Sequence, residues 1–339
     1  MKSLATVLLP LALLAAAPRA HAAGKCSQFD CGTNSPVIDG LGFHELSVVG
    51  DLNAQGLRLG DLVNPANGSR HRVRVLEDQL VGQSKLFPYW TVVTGEQLVG
   101  RYIEVFRGRS AYRLKILHVT RAVDYLVAPG QGDRFETYQF AWSPETDFHV
   151  VEPLCPEYEP GQPGVTQAML ESVVFTGNRY DAPTKDLLPA AASDPYWVNL
   201  GCYNTTLYKL KTTRHNDQAA SPAFTAPREL QQAMVRMWTG DVCGDGDAHT
   251  EQGTPLYWQH PAGVGSAWYG SPDETTEGMW GADGALCVSD YRLGWPYYLA
   301  EVDCDPSPSV IARPPLCPMT FGGMWTLPGA QVYSSFPTP

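Results

Sequence analysis

Eight cysteines constrain this chain more strongly than any other feature of its sequence. All of them follow residue 25, and their number is even. In an oxidising compartment such cysteines are expected to pair, although eight of them allow roughly a hundred connectivities, among which sequence cannot choose. Zinc binding is the rival interpretation, but no two cysteines have the two-residue gap of a zinc knuckle. We therefore predict disulfides formed by Cys26, Cys31, Cys155, Cys202, Cys243, Cys287, Cys304 and Cys317.

The N-terminal residues have the features of a secretory signal peptide. Lys2 provides a positive start, residues 4–17 are largely apolar, and Ala20 and Ala22 place small residues where a signal peptidase reads them. We expect residues 1–22 to be removed and the protein to be exported to the periplasm or the cell exterior. The apolar run is shorter than the roughly 20 residues of a membrane-spanning helix, and no second run of that length follows. We therefore predict no transmembrane segment.

The charge of the chain limits the partners that it can have. Its net charge is −11, and loss of Lys2 and Arg19 with the signal peptide leaves 22 basic against 35 acidic residues, or −13. This balance argues against nucleic acids and anionic membranes as partners. It is compatible with a calcium-binding surface but does not require one.

Short apolar runs alternate with turn residues along the whole chain, which has 28 prolines and 32 glycines. This pattern is typical of many short strands. The clearest case is residues 102–120, where a turn at residues 107–110 separates two alternating runs and predicts a hairpin with one buried face. We predict further strands at residues 71–76, 135–142, 170–176 and 196–200.

The sequence Gln-Leu-Val-Gly occurs twice, at residues 79–82 and at residues 97–100. Two copies are too few to indicate a repeat protein. We interpret them as equivalent strand-to-turn corners of one sheet.

One segment has the spacing of an amphipathic helix. A single helical face would carry Leu230, Ala233, Met234, Met237 and Trp238. We expect Thr225 to cap the start of this helix, Pro227 to lie in its first turn and Gly240 to end it. A weaker pattern predicts a second short helix at residues 204–210.

These patterns predict a mainly β protein with two β-rich domains. A boundary is placed near Cys155, because residues 156–164 contain three prolines and two glycines and most cysteines follow. We predict a signal peptide at residues 1–22 and an N-terminal β-rich domain at residues 23–153. A disulfide-stapled domain with one or two short helices would span residues 154–318, and residues 319–339 would form a C-terminal tail.

Residues 240–246 read Gly-Asp-Val-Cys-Gly-Asp-Gly. This stretch resembles the signature of the ADYC domain, which is named for Ala-Asp-Tyr-Cys followed by Gly-Asp-Gly. The Asp and the Cys are present, whereas the Ala and the Tyr are not. Thr250, residues 253–255 (Gly-Thr-Pro) and Trp280 with residues 283–287 (Asp-Gly-Ala-Leu-Cys) are similar to downstream parts of the family pattern.

The resemblance extends in patches over most of the mature chain, from Cys31 and Cys155 to Cys202 and beyond. It implies an exported bacterial protein with disulfide bonds. Two cysteines that the family carries near Leu210 and Met234 are absent here, which is what the loss of one disulfide would leave. The family has no assigned activity, so the resemblance implies a location and a fold but no reaction.

The segment at residues 241–249 is rich in groups that could carry chemistry. Asp241, Asp245 and Asp247 alternate along a glycine-containing stretch, and oxygen ligands in a tight loop suit calcium. The EF-hand pattern fails, however, because Cys243 takes an inward position and Gln252 stands where the bidentate Glu belongs. The alternative, which we favour, is a disulfide-pinned turn whose aspartates bind backbone amides. No cofactor is therefore predicted, with calcium retained as the alternative.

No catalytic motif of a known hydrolase is present. Gly265-Ser266-Ala267 lacks the nucleophile elbow, and the chain has neither His-Glu-x-x-His nor a phosphate-binding glycine loop. Aromatic residues cluster in the C-terminal half instead, and exposed rings can stack on sugars or anchor a partner. The candidates for ligand stacking are Trp268, Trp280 and Trp295, against the alternative that these rings fill the core.

Our hypothesis from the sequence is an exported, non-catalytic module that binds a protein or a glycan, or interacts at a cell surface. The competing hypothesis is a secreted hydrolase with a carboxylate site near residues 241–247. A carboxylate pair that meets only in the folded protein would leave no local motif.

Overall fold

The structure of the protein is a computed structural model. It describes residues 37–38, 41–42, 45–85, 91–124, 134–144, 146–147, 149, 151–155, 169–181, 183–188, 196–216, 226–250, 256–260, 274–290, 292, 304, 313–318 and 321–337. The chain is mainly β, as predicted.

The strands come in the following order. The first nine are β1 (Val37–Ile38), β2 (Leu41–Gly42), β3 (Glu45–Ser47), β4 (Leu57–Val63), β5 (Arg70–Leu76), β6 (Gln79–Ser84), β7 (Val92–Thr94), β8 (Tyr102–Arg107) and β9 (Ser110–Asp124). The others are β10 (Arg134–Pro144), β11 (Glu152–Pro153), β12 (Ser172–Thr176), β13 (Trp197–Cys202), β14 (Tyr257–Gln259), β15 (Glu274–Gly281), β16 (Gly284–Val288) and β17 (Val332–Pro337). The helices are α1 (Thr206–Thr212), α2 (Arg228–Thr239), α3 (Phe321–Met324) and a 3-10 turn at Gly95–Leu98.

Eleven strands form one large antiparallel sheet in the order β3-β13-β12-β10-β9-β8-β4-β5-β6-β7, with β11 paired to β10. Successive side chains of a strand point to opposite faces, so alternating apolar and polar residues give these strands one buried face. In β5, Val73 and Val75 are buried, whereas Arg72 is exposed and Arg74 is half-buried. The sheet curls around its core and brings β6 close to β10, although four strands separate them in the sheet. The backbone N–H of Leu80 in β6 donates to the Tyr138 hydroxyl of β10 at 2.8 Å.

A second, four-stranded sheet has the order β14-β17-β15-β16. Helices α1 and α2 share one hydrophobic core with this sheet and with the large sheet. Val173 and Phe175 of β12, Met234 of α2, Trp280 of β15 and Val332 of β17 belong to the same buried cluster. None of the helices in the described part of the chain is long and apolar enough to cross a membrane.

The predicted hairpin and the other predicted strands are confirmed as β8–β9, β5, β10, β12 and β13. Both predicted helices are present. Gly240 ends α2 with a left-handed φ of 64°, a conformation that glycine adopts without steric cost. Pro227 is the N-cap residue of α2 rather than part of its first turn, and Thr225 lies outside the described residues.

The interpretation of the repeated Gln-Leu-Val-Gly sequence was wrong. Its first copy is the start of strand β6, whereas the second begins within the 3-10 turn at Gly95–Leu98. Surroundings therefore decide the conformation of these four residues, as is common for short segments of weak local preference.

The predicted domain boundary falls between β11 and β12, and both of these strands pair with β10 of the large sheet. The division into two domains stays a prediction. The predicted C-terminal tail contains α3 and β17, and β17 lies between β14 and β15 in the smaller sheet. Residues 332–337 are thus a central strand.

Three disulfides join six of the eight cysteines in the described residues and confirm that part of the prediction. The pairs are Cys155 with Cys202, Cys243 with Cys304, and Cys287 with Cys317. Cys26 and Cys31 lie outside the described residues.

Candidate functional site

The aspartate-rich segment after α2 is a buried structural turn. Asp241 is completely buried, and its two carboxylate oxygens accept the backbone N–H groups of Asp245 and Gly246 at 3.1 and 3.0 Å. The same carboxylate binds the guanidinium of Arg236, which is also buried. Burial raises the pKa of Asp241, and the charge of Arg236 acts in the opposite direction. Asp241 therefore holds the turn together.

Arg236 ties this turn to two other segments. Its Nη1 donates to the carbonyl of Thr184 at 2.6 Å, and its Nη2 contacts the carboxylate of Asp186. Its Nε reaches the carbonyl of Ala282, in the turn between β15 and β16, at 3.3 Å. One buried arginine therefore joins α2, the loop at residues 183–188 and the smaller sheet.

Close backbone contacts explain the glycines of the turn. A Cβ on Gly244 would stand 2.0 Å from the carbonyl oxygen of Asp283, and one on Gly246 would stand 2.1 Å from that of Pro183. Both residues also have positive φ angles, of 70° and 91°, which disfavour other residues. The Ala285 N–H donates to the Val242 carbonyl at 2.9 Å. The two sequence stretches that resemble the ADYC pattern thus contact each other.

The other two aspartates of the turn have different surroundings. Asp245 is exposed and accepts the Asp247 backbone N–H at 2.9 Å, which is a local Asx turn. The disulfide between Cys243 and Cys304 fixes the centre of the segment. Among the described residues, no group of three or more His, Cys, Asp or Glu side chains is arranged to hold a metal ion.

Trp280, one of the predicted stacking residues, is fully buried. Its indole N–H donates to Ser334 at 2.7 Å, and the Ser334 hydroxyl donates to Glu277 at 2.6 Å. Arg292 completes this network by donating from Nη2 to the same carboxylate oxygen at 2.6 Å and from Nε to the other oxygen at 2.5 Å. Trp280 therefore packs the core of the smaller sheet and presents no face to a ligand. Trp268 and Trp295 lie outside the described residues.

A buried cluster of aromatic and histidine rings lies between α2 and β14. His215 is fully buried with its ring centre 5.2 Å from that of Trp258 and 5.6 Å from that of His260. Burial lowers the pKa of His215 to about 3 and that of His260 to about 4. Both imidazoles are neutral at physiological pH, so this cluster is part of the core.

A cleft on the outer face of the large sheet has the features of a binding site. Strand register builds it, because Tyr102 of β8, Lys115 of β9 and Ala141 of β10 lie side by side in one row. Arg113 and Ser143 form the next row. Paired residues of adjacent strands point to the same face. The cleft has a volume of about 180 Å³ and is lined by Pro65, Tyr102, Arg113, Lys115, Trp142 and Val151, among others.

The chemistry of the cleft is cationic and partly aromatic. The Arg113 guanidinium lies 4.6 Å from the centre of the Tyr102 ring, a cation–π arrangement that restrains both groups. Lys115 is exposed, and it forms no ion pair with any residue in the part of the chain that the structure describes. Val151 is 54% exposed. The cleft therefore presents two cations beside apolar surface.

The carboxylate opposite Arg113 in the strand ladder binds Arg70. Glu104 lies opposite Arg113 in the β8–β9 ladder, but both of its oxygens accept from Arg70, at 2.7 and 2.8 Å. The described lining of the cleft contains no Asp or Glu. Residues 45–144 hold 12 Lys and Arg against 10 Asp and Glu, whereas the whole chain has 24 against 35. Residues 45–144 are therefore weakly basic, whereas the chain as a whole is acidic.

Sequence reasoning missed this cleft although it identified the strands that build it. Arg113 and Lys115 lie at alternate positions of the hairpin predicted at residues 102–120. What was missing was the partner strand, because Ala141 and Ser143 reach the cleft only through the pairing of β9 with β10. The exposed alternation of Arg113 and Lys115 beside Tyr102 was the available signal.

Comparison with known protein families gives one match. The model of the ADYC domain matches residues 95–294, more than half of the chain, and the chain belongs to this family. The matched region contains the turn at residues 240–246 and every described cleft residue except Pro65. Neither the search of curated proteins nor the search of solved structures found a match.

Proposed function

We propose that this ADYC-domain protein is an exported, non-catalytic binding module whose ligand occupies the cleft of the large sheet. The observation that carries the proposal is the combination in one cleft of an aromatic ring, exposed apolar surface and two cations. Binding sites typically combine apolar walls with a few placed polar groups. Export is supported by the three disulfides, which persist in oxidising compartments.

The competing proposal is a secreted hydrolase with carboxylates near residues 241–247. Hydrolysis by a carboxylate pair requires two groups that both reach the substrate. Asp241 is buried and bound to Arg236 and to two amides, so it has no oxygen left for a substrate. Asp245 is the exposed carboxylate of the turn, and it is the residue to test.

An array of glycans and peptides tests both proposals. We expect the full, disulfide-bonded chain to capture at least one class of probe and to release it uncleaved, as judged by mass spectrometry. The double variant Tyr102→Ala with Val151→Ser should lose that capture. Tyr196→Ala is the control, since Tyr196 is an exposed tyrosine, at 46%, that precedes β13 at the far side of the sheet.

Three outcomes would overturn the binding proposal. The first is a wild-type chain that captures no probe. The second is capture that survives in the folded cleft variant. The third is recovery of a shortened probe, with cleavage abolished by Asp245→Asn, which would establish the hydrolase instead.

A further inference from the structure

The outer face of strands β4, β5, β8 and β9 carries an excess of basic side chains. Successive residues of a strand point to opposite faces, and the apolar residues that alternate with these cations, such as Val73 and Leu114, belong to the core of the large sheet. The basic side chains of this outer face are Arg58, Arg70, Arg72, Arg74, Lys85, Arg113 and Lys115, and its described acidic side chains are Asp61 and Glu104. We call this surface the basic face.

The two carboxylates of the basic face are shared by two of its cations. Asp61 binds Arg70 and Lys85 at 3.2 and 2.7 Å. Glu104 accepts from Arg70 through both of its oxygens. The negative charge of this face is therefore spent on Arg70 and Lys85.

Three arginines of the basic face have no carboxylate partner within the part of the chain that the structure describes. The side chains of Arg72 and Arg74 form no hydrogen bond and no ion pair there, and Arg58 lies 4.7 Å from the centre of the Phe106 ring. Arg58 and Arg72 are exposed, and Arg74 is half-buried. Arg72 and Arg74 are two residues apart on β5, so their Cα atoms are separated by roughly 7 Å. Planar guanidinium groups match carboxylates, and arginine is enriched in protein interfaces.

The acidity of the chain lies in its second half. Residues 145–339 hold 9 Lys and Arg against 23 Asp and Glu. Three of these cations have buried side chains that are paired to carboxylates, namely Lys211, Arg236 and Arg292. Glu229, Asp245 and Asp283 are exposed. Residues 145–339, which we call the acidic half, therefore present a predominantly negative surface.

The acidic half packs elsewhere in its own molecule. Phe175 of β12 shares a buried cluster with Met234 of α2 and Trp280 of β15. The cations of the basic face point away from the core of the sheet, and within the described ranges Arg72 and Arg74 contact no carboxylate of this half. Complementary charges that do not meet inside one molecule can meet between two molecules.

We propose that the basic face binds the acidic half of a second copy of this chain. The contact joins two different surfaces, so a dimer keeps one basic face and one acidic half unused, and further copies can add. The net charge of −11 opposes the approach of two copies, which makes the association weak and reversible. The inference goes beyond the proposed function, since Arg72 and Arg74 do not line the cleft.

Analytical ultracentrifugation of the full, disulfide-bonded chain at two salt concentrations tests this proposal. We expect species larger than a monomer at about 0.1 M salt and an apparent dissociation constant about tenfold higher at about 0.5 M, because salt screens exposed charges. Association that strengthens with salt would indicate an apolar contact and would overturn the proposal. A monomer at both concentrations would also overturn it.

A pair of variants locates the contact. Arg72→Glu with Arg74→Glu reverses two charges of the basic face and should abolish the association. Arg107→Glu with Arg109→Glu is the matched control, because it changes the net charge equally at the exposed β8–β9 turn, and it should weaken association by no more than about twofold. Equal losses in the two variants would contradict the assignment. If the thermal midpoint shows that the first variant is destabilised, Arg72→Gln with Arg74→Gln should still weaken association by about tenfold.

A binding experiment between variants tests whether the two surfaces differ. Immobilised wild-type chain should bind the soluble Arg72→Glu/Arg74→Glu variant, because that variant keeps its acidic half. The same variant, when immobilised, should not bind itself. Failure of the wild type to capture the variant would overturn the proposed contact.

The array of glycans and peptides separates this inference from the proposed function. Capture through the cleft should survive in the Arg72→Glu/Arg74→Glu variant, whereas self-association is lost. Self-association without any captured probe would sink the cleft proposal alone. A monomeric wild type that captures acidic peptides through Arg72 and Arg74 would assign the basic face to another acidic protein and overturn the second copy as its partner.

Discussion

The turn at residues 240–247 and the cleft of the large sheet both contain charged side chains, but these side chains differ in how deeply they are buried. In the turn, Asp241 and Arg236 are buried and satisfied by each other and by backbone groups. In the cleft, Lys115 is exposed and Arg113 lies over an aromatic ring. The first arrangement stabilises the fold, whereas the exposed Lys115 of the cleft can contact a ligand.

This difference teaches that a dense local motif is not by itself evidence of a functional site. The Asp- and Gly-rich turn is conspicuous because many contacts constrain a short segment, including Gly244 against Asp283 and Gly246 against Pro183. The cleft is inconspicuous because its residues come from separate strands and meet only through strand register.

The largest loss of stability is expected when the chain is cut to the family-matched residues 95–294. This fragment tests whether the turn and the cleft belong to one folding unit. Residues 95–294 lack β4–β7 and the central strand β17. They also lose Asp78, whose buried carboxylate pairs with buried Lys211 of α1. Unpaired sheet edges and a buried unpaired charge are both strongly unfavourable. We expect this fragment to lack the near-ultraviolet circular dichroism of the full chain; a cooperative unfolding transition in it would contradict the account.

Next in size is the effect of removing the central carboxylate of the turn. Asp241→Ala leaves Arg236 buried beside two unbonded amides, and breaking such a pair costs about 3–5 kcal/mol. Lys115→Ala in the cleft should change the free energy of unfolding by no more than about 0.5 kcal/mol, as for other exposed sites. Urea unfolding of both variants measures the contrast. Similar losses of unfolding free energy in the two variants would contradict the distinction between the buried charge of Asp241 and the exposed charge of Lys115.

Acid should destabilise the histidine cluster next to α2. The pKa of His215 is about 3 and that of His260 about 4 in the folded protein, against about 6.5 when unfolded. Below pH 6.5 the unfolded chain binds protons that the folded chain does not, so stability that is complete above pH 6.5 falls by about 1.4 kcal/mol per pH unit for each histidine. Urea unfolding between pH 7 and pH 4.5 measures this slope.

The matched variants His215→Phe and His260→Phe should each lower that slope by about half, because one of the two titrating groups is gone. An unchanged slope in either variant would show that the corresponding histidine is already protonated in the native protein, or that other groups govern the acid response.

The smallest effect is expected from calcium. Calcium binding was the alternative interpretation of the turn, but both oxygens of Asp241 are engaged, which leaves Asp245 and Asp247 as its only other carboxylates. A ligand that binds only the folded state raises the thermal midpoint of unfolding, and more so the more sites it occupies. Millimolar calcium should therefore shift this midpoint by less than about 1 °C. A clear rise that Asp245→Asn abolishes would make the turn a metal site after all.

The sequence predicted well those features that depend on local alternation. The β8–β9 hairpin and helix α2 follow from periodic apolar residues, and Gly240 ends α2 as expected. Features that depend on distant partners were not predictable, since the sheet order that joins β3 to β13 and places β17 between β14 and β15 leaves no local pattern.

For the candidate site, sequence patterns identified residue types but not their exposure. Trp280 was a candidate for stacking on a ligand, but it is buried in the cluster that contains Met234 of α2, and Ser334 binds its indole. Tyr102 belonged to the predicted hairpin, yet only its row with Lys115 and Ala141 shows that it borders a cleft. Burial of large rings is set by tertiary packing, which single-residue arguments do not contain.

Hydrogen exchange of the full chain, with and without a saturating glycan or peptide that the array captures, tests the central claim most directly. The account predicts that this ligand slows exchange in peptides covering residues 99–116 and 140–153, and leaves residues 240–249 unchanged. Slowed exchange confined to residues 240–249 would contradict it and would return the functional site to the aspartate-rich turn.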